Sequence, residues 1–186
     1  IRYKLAKYRI AELVEEIWQP DLMQSAVLVP ITFHMNEIKL IFTKRSAELE
    51  RHKGQVSFPG GVIEKGDKDP IDTALRETCE EININTSQIE LLGQFPPFNS
   101  QTGYFIYPVV GFIHDLKGLQ RNGIEVDRIF CIPYQWLADP ENSTLTDYQT
   151  TDGTFKKVWF YKEFENELLW GITAKITKEF IALIEN

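Results

Sequence analysis

Three features of the 186-residue sequence predict an α/β fold, a mixed β-sheet sandwiched between helices in an α/β/α arrangement. Short β-rich apolar runs recur along the chain, only two or three stretches carry helical spacing, and a Gly-rich turn joins strand to helix near its middle. No internal repeat, low-complexity tract or linker interrupts it. Residues 1–186 therefore read as one domain with room for a full core.

The elements follow in order. Between residues 4 and 18, Leu5, Tyr8, Leu13 and Ile17 recur at helical spacing and predict a first helix. Residues 25–33 and 37–43 are apolar β-rich runs joined by Met35-Asn36, a hairpin signal. Residues 55–58 and 61–63 flank a Phe58-Pro59-Gly60-Gly61 turn, whose paired glycines suit a tight bend or a close approach to something bound. The helix that follows has Asp69 as N-cap, Pro70 at its first position, Asp72 in its first turn and Asn83 at a left-handed C-cap. Ile71, Leu75, Thr78 and Ile82 form its core-facing stripe. Residues 90–94, 104–113 and 128–133 read as further strands. Residues 145–150 and 156–164 form a late hairpin about Asp152-Gly153. The helical period returns over residues 172–184, with Ile172, Ile176, Phe180 and Ile184 on one inward stripe.

The chemistry concentrates in the central helix. At about 100° per residue, Glu77, Glu80 and Glu81 fall on one face. Carboxylates three and four apart repel unless something sits between them, and an all-oxygen set suits a hard divalent cation, Mg²⁺ or Mn²⁺. A solvated acidic face would show the same three residues; the capped helix behind a Gly-rich turn favours the metal. Arg76 is placed to orient a glutamate through its planar fork, or to form a surface pair with Glu80. Asp67 fits either a water-mediated metal contact or a loop cap.

Composition narrows the class. Apolar residues make up 43% and charged residues 25%, a globular balance, and the formal charge of −7 leaves no basic face for nucleic acid. Two cysteines, Cys79 and Cys131, are too few for a disulfide framework and read as small buried hydrophobes in a reduced, cytoplasmic setting. No uninterrupted apolar run is long enough for a bilayer, and residues 1–20 carry no signal-peptide pattern, so no membrane partner is expected. Because the sequence begins at Ile1 rather than Met, a few leading residues are expected to be missing.

Residues 61–84 resemble the Nudix box, the signature of hydrolases that cleave nucleoside diphosphates linked to another group. Arg76-Glu77, Glu80-Glu81 and Ile84 match its pattern. The loop before Arg76 is one residue longer than the basic pattern, Asp67 stands where its first Glu falls, and Asn83 replaces its last Gly. The longer loop is similar to that of the coenzyme A diphosphatase group. Upstream, Ile41-Phe42-Thr43-Lys44-Arg45-Ser46, Gly54 and Phe58-Pro59-Gly60-Gly61 resemble that group's second motif in register, with Glu50 at its middle Arg position and Arg51 next door. Residues 92–97, 102–104, 108–111 and 122–126, Ile132-Pro133 and residues 170–174 extend the resemblance over nearly the whole chain from Ser25.

The resemblance implies a Nudix fold and a metal-dependent diphosphatase releasing 3′,5′-ADP and 4′-phosphopantetheine. It implies Glu77, Glu80 and Glu81 as metal ligands, one of them alternatively the general base, with the Gly60 carbonyl completing the coordination. Glu125 is a candidate base, or else a solvated loop carboxylate. Lys44, Arg45, Arg51 and His52 are candidate contacts to the coenzyme A 3′-phosphate. Trp170 and Tyr104 read as core or pocket-wall aromatics. Two other readings stand beside this one: a Nudix hydrolase of NADH, ADP-ribose or an oxidised nucleotide, and a module that binds a nucleotide without cleaving it. Three mutually repelling glutamates argue against the last. The expected partner is a small nucleotide, with homodimer formation left open.

Overall fold

The computed structural model describes residues 21–49, 52–100, 102–150 and 153–185. The helix expected over residues 4–18, and the positions of Glu50, Arg51 and Asp152, lie outside them. The backbone opens with a long hairpin, β1 (Met23–His34) and β2 (Glu37–Arg45), turned by Met35 and Asn36 at φ 52° and 63°. Two consecutive left-handed residues match the right-handed twist of the paired strands. Short strands β3 (Val56–Ser57) and β4 (Gly60–Val62) precede helix α1 (Pro70–Ile82). Then come β5 (Ile89–Gln94), β6 (Phe98–Asn99), β7 (Tyr104–Ile113), β8 (Val126–Pro133) and α2 (Tyr134–Ala138). The hairpin β9 (Ser143–Gln149) and β10 (Phe155–Tyr161) leads into the closing helix α3 (Gly171–Glu185).

Eight strands form a mixed sheet with the path β3-β2-β1-β7-β5. Strand β1 runs parallel to β7 and antiparallel to both its other partners. Those two share one edge. Residues 31–34 of β1 pair with β2, whereas Ser25, Ala26 and Val27 pair with Val62, Gly61 and Gly60 of β4. The chain crosses from β2 to β1 through Phe58 and Pro59, with the Leu28 N–H donating to the Pro59 carbonyl at 2.9 Å. The sheet is split where β2 and β4 diverge.

Alternate residues of the central strands feed two cores. Ala26, Leu28, Ile41 and Val109 pack with Ala74 and Ile82 of α1 on one face. Val29, Leu40, Phe42 and Val110 pack with Leu137 of α2 and with Ala174, Ile176, Phe180 and Ile181 of α3 on the other. This is the expected sandwich. On α3 the stripe of Ile172, Ile176, Phe180 and Ile184 does face inward, with its two middle members at most 2% exposed. On α1 the buried side differs from the expected stripe. Thr73, Ala74, Thr78, Glu81 and Ile82 are buried, while Ile71 and Leu75 are only half covered, so one carboxylate lies on the inner face. Strand β6 and helix α2 carried no sequence signal: two and five residues show no readable period.

Phe180 is 1% exposed and lies against Phe95, ring centroids 6.2 Å apart, whereas Phe155 is 67% exposed at the start of β10. Phe180→Ala should cost about 3–5 kcal/mol in urea unfolding. Phe155→Ala should stay within about 0.5 kcal/mol of the parent.

Candidate active site

A cleft of about 460 Å³ opens where the sheet splits. One wall comes from β4 and α1, and the capping geometry of α1 explains how it is fixed. The Asp69 side chain accepts from the Asp72 N–H at 2.9 Å, Pro70 starts the helix, and Asn83 ends it in the left-handed region at φ 53°. The carbonyls of Glu81 and Ile82, left free at the helix end, accept from the N–H groups of Asn122 and Gln120 at 2.9 and 3.1 Å. The loop bearing Glu125 is thereby tied to the helix bearing Glu77, Glu80 and Glu81.

The two glycines hold strand and helix at close range. A Cβ on Gly60 would stand 2.3 Å from the Ala26 carbonyl oxygen, and one on Gly61 would stand 2.3 Å from the Glu77 carboxyl. Neither position tolerates a side chain without displacing β1 or Glu77.

Arg76 is the hub of this wall. Its Nε and Nη2 donate to Oδ1 and Oδ2 of Asp67 at 3.0 Å each, its Nη1 donates to Glu77 Oε1 at 2.8 Å, and Nη2 also reaches the Val62 carbonyl at 3.3 Å. Glu80 lies 3.6 Å from Nη1 and remains 58% exposed. The two-pronged bond from Arg76 holds Asp67 well below the usual carboxylate range and pushes the guanidinium itself up. Asp67 thus meets the arginine through both carboxylate oxygens. The signal for this pairing was an acidic loop residue nine positions before Arg76.

Glu77 and Glu81 share a problem of solvation and charge and differ in its relief. Burial raises both. For Glu77 the bonded Arg76 pulls back, while Glu80 and Glu125 push further up. Glu81 is 2% exposed, and burial lifts its carboxyl to about 8; Arg45 opposes this, and the charges of Glu77 and Glu125 add to it. Arg45 Nη1 stays 3.9 Å away, and Glu81 Oε2 is buried with no hydrogen-bond partner among the described residues.

Gly60, Arg76, Glu77, Glu80 and Glu125 all line the cleft, and Glu81 sits beneath them. Arg45 and His52 line it from the β2–β3 side, where His52 Nδ1 lies 2.9 Å from Gln55 Oε1. Lys44 is not brought to the cleft: its Nζ bonds both oxygens of Glu167 at 2.9 and 3.1 Å, and Glu167 also takes Arg128 Nη1 at 3.2 Å. Tyr104 is a cleft-wall residue, while Trp170 stacks on Phe160 with centroids 5.5 Å apart. Gln55, Ser57 and Glu64 also line the site without having carried a sequence signal.

The donors fit a hard divalent cation in kind. They are oxygens throughout, and one is an orphaned buried carboxylate oxygen. Among the described residues no three His, Cys, Asp or Glu side chains already surround one point. Among the described residues no helix is long and apolar enough to cross a membrane.

The profile of the NUDIX domain matches residues 22–163. Over 165 residues the chain is 39% identical to the Nudix hydrolase NudL of Photorhabdus laumondii, covering 87% of this chain and 84% of that one. It is 37% identical to the NudL of Pectobacterium atrosepticum over 170 residues, covering 88% and 83%. Among solved structures, a mutT/nudix family protein from Listeria innocua superposes with a TM-score of 0.56 at 15% identity, covering 90% of this chain and 96% of that one. A mutT/nudix family protein from Enterococcus faecalis gives 0.55 at 15% identity, covering 100% and 73%.

The pH dependence of Glu81 has a definite sign. Its pKa rises from an ordinary 4.5 to about 8 in the fold. The stability it contributes is therefore complete below 4.5 and lost as pH climbs through 8. Glu81→Gln, which cannot ionise, should raise the metal-free unfolding midpoint by about 10–20 °C at pH 9 and by far less at pH 5. Thermal unfolding in chelator at the two pH values measures this.

Proposed function

The chain belongs to the Nudix hydrolase family, enzymes acting on phosphoanhydride bonds, and from that premise we propose that it hydrolyses the diphosphate of coenzyme A or its derivatives. The products are 3′,5′-ADP and 4′-phosphopantetheine. One observation carries this reading. Arg45, from the segment that resembles the coenzyme A diphosphatase motif, stands 3.9 Å from Glu81 of the box. Two motifs 36 positions apart in the sequence thus form one cleft.

Nudix hydrolases generally need a divalent metal ion. Here Glu77, Glu80 and Glu81, with the Gly60 carbonyl, would hold Mg²⁺ or Mn²⁺. Such an ion neutralises the diphosphate and stabilises the charge that develops as the bond breaks. The chain's own residues supply the rest. Arg76 holds Glu77 in one orientation through its bond to Oε1. Arg45, which lines the cleft, presents a cation to the substrate's 3′-phosphate. His52, which lines the cleft, serves the 3′-phosphate, while Lys44 is engaged by Glu167 and takes no part. Glu125, whose charge is felt by both Glu77 and Glu81, accepts the proton of the attacking water.

Hydrolysis of coenzyme A, dephospho-coenzyme A, NADH and ADP-ribose with Mg²⁺ or Mn²⁺, analysed for products, tests the substrate. Coenzyme A should be cleaved to 3′,5′-ADP and 4′-phosphopantetheine with the highest kcat/KM. Efficient cleavage of NADH or ADP-ribose with neither coenzyme A form touched would refute the reading. Glu81→Gln keeps the side-chain shape and removes a charged ligand, so turnover should fall about a thousandfold, equivalent to ~4 kcal/mol. Activity within threefold of the parent would exclude Glu81 from the metal set.

A further inference from the structure

The cleft has a second wing that the proposed chemistry leaves unused. Val27 of β1, Ile106 of β7, and Ile172 and Ile176 of α3 give it an apolar lining, to which Ser25 and Thr173 add hydroxyl-bearing side chains. All six are uncharged. The four apolar residues belong to, or pack against, the α3-side core, so the wing is part of the folded frame. Its outer member, Ile172, is delivered by the Trp170-to-Ala174 segment singled out in the sequence. Trp170 anchors that segment by stacking on Phe160 at an interplanar angle of 10°, and Gly171 turns it into α3 at φ +69°.

The cleft's basic side chains stand elsewhere. Arg45 and His52 come from β2 and the loop before β3, and Arg76 is spent on Asp67 and Glu77. None of the residues lining this wing is cationic, and Lys175 of α3 lies over the Phe98 ring, so a phosphate placed against Ile172 and Ile176 would lose water without gaining a cation from the lining, which is costly. A methylene chain bearing amides would instead bury its apolar part and find hydroxyl partners. We propose that this wing holds the uncharged, amide-linked arm of the substrate, a pantetheine-type chain, and so fixes which way round the diphosphate lies across the carboxylates. The inference rests on the coenzyme A reading and extends it. In this orientation the nucleotide end lies toward Arg45 and His52, and the neutral end toward α3.

Isoleucine δ1-methyl labelling of the whole protein tests it, with pantetheine and adenosine 3′,5′-bisphosphate added separately. Pantetheine should shift the methyl signals of Ile106, Ile172 and Ile176, and the bisphosphate should leave them in place. Ile172→Asp, at a half-buried position, should raise KM for coenzyme A about tenfold and leave inhibition by the bisphosphate unchanged. Shifts of these methyls by the bisphosphate, or none with pantetheine, would overturn the assignment; so would an unchanged KM in the variant. The substrate reading fails separately. If the parent protein does not cleave coenzyme A but pantetheine still moves the three methyls, that reading falls and the wing stands.

Discussion

The structure depends on how β1 divides its edge. A buried strand must satisfy its backbone N–H and C=O groups along its whole length. Here β2 satisfies the end nearest the hairpin and β4 satisfies residues 25–27. Had β2 continued along β1, the sheet would have closed and α1 would have packed on a seamless surface. Because the partner changes, a gap opens between β2 and β4, and the carboxylates of α1 reach a cleft that also touches α3. The bare Cα of Gly60 allows the change, since β4 can then approach to where a Cβ would strike β1.

The cleft is a place of unbalanced charge held by a balanced one. The Arg76–Asp67 fork is satisfied at both ends and fixes Glu77. Glu81 is left with burial, repulsion from Glu77 and Glu125, and a guanidinium slightly too far for a hydrogen bond. Ionising it in this state costs on the order of 5 kcal/mol. A cation held between the carboxylates would relieve that cost, so the folded chain carries an electrostatic incentive to bind one. A group with ordinary solvation on the helix surface would offer none.

Much of this was legible in the sequence because the signals are local. The N-cap at Asp69, the left-handed Asn83, the Met35-Asn36 turn and the α3 stripe each depend on residues a few positions apart, and the structure shows each of them. The position of Glu81 was harder. Helical spacing placed it with Glu77 and Glu80, but β1, β4 and the Asn122 loop close over it, and those are contacts of tertiary structure. Lys44 and Arg45 show the limit from another side. As neighbours on β2 they must leave on opposite faces, but the sequence does not say which face meets the cleft; Arg45 reaches Glu81 and Lys44 meets Glu167.

The parallel pairing of β1 with β7 joins residues 23–31 to residues 104–112. Contacts so distant along the chain must close a large loop before they repay its entropy, which slows folding. On a ribosome, β1 waits for its parallel neighbour until residues 104–112 have emerged. During that interval β1 and β2 form a hairpin with an apolar open edge, the kind of surface on which nascent chains adhere to one another. The pairing that brings the cleft together is thus also the one that leaves β1 longest without its parallel partner.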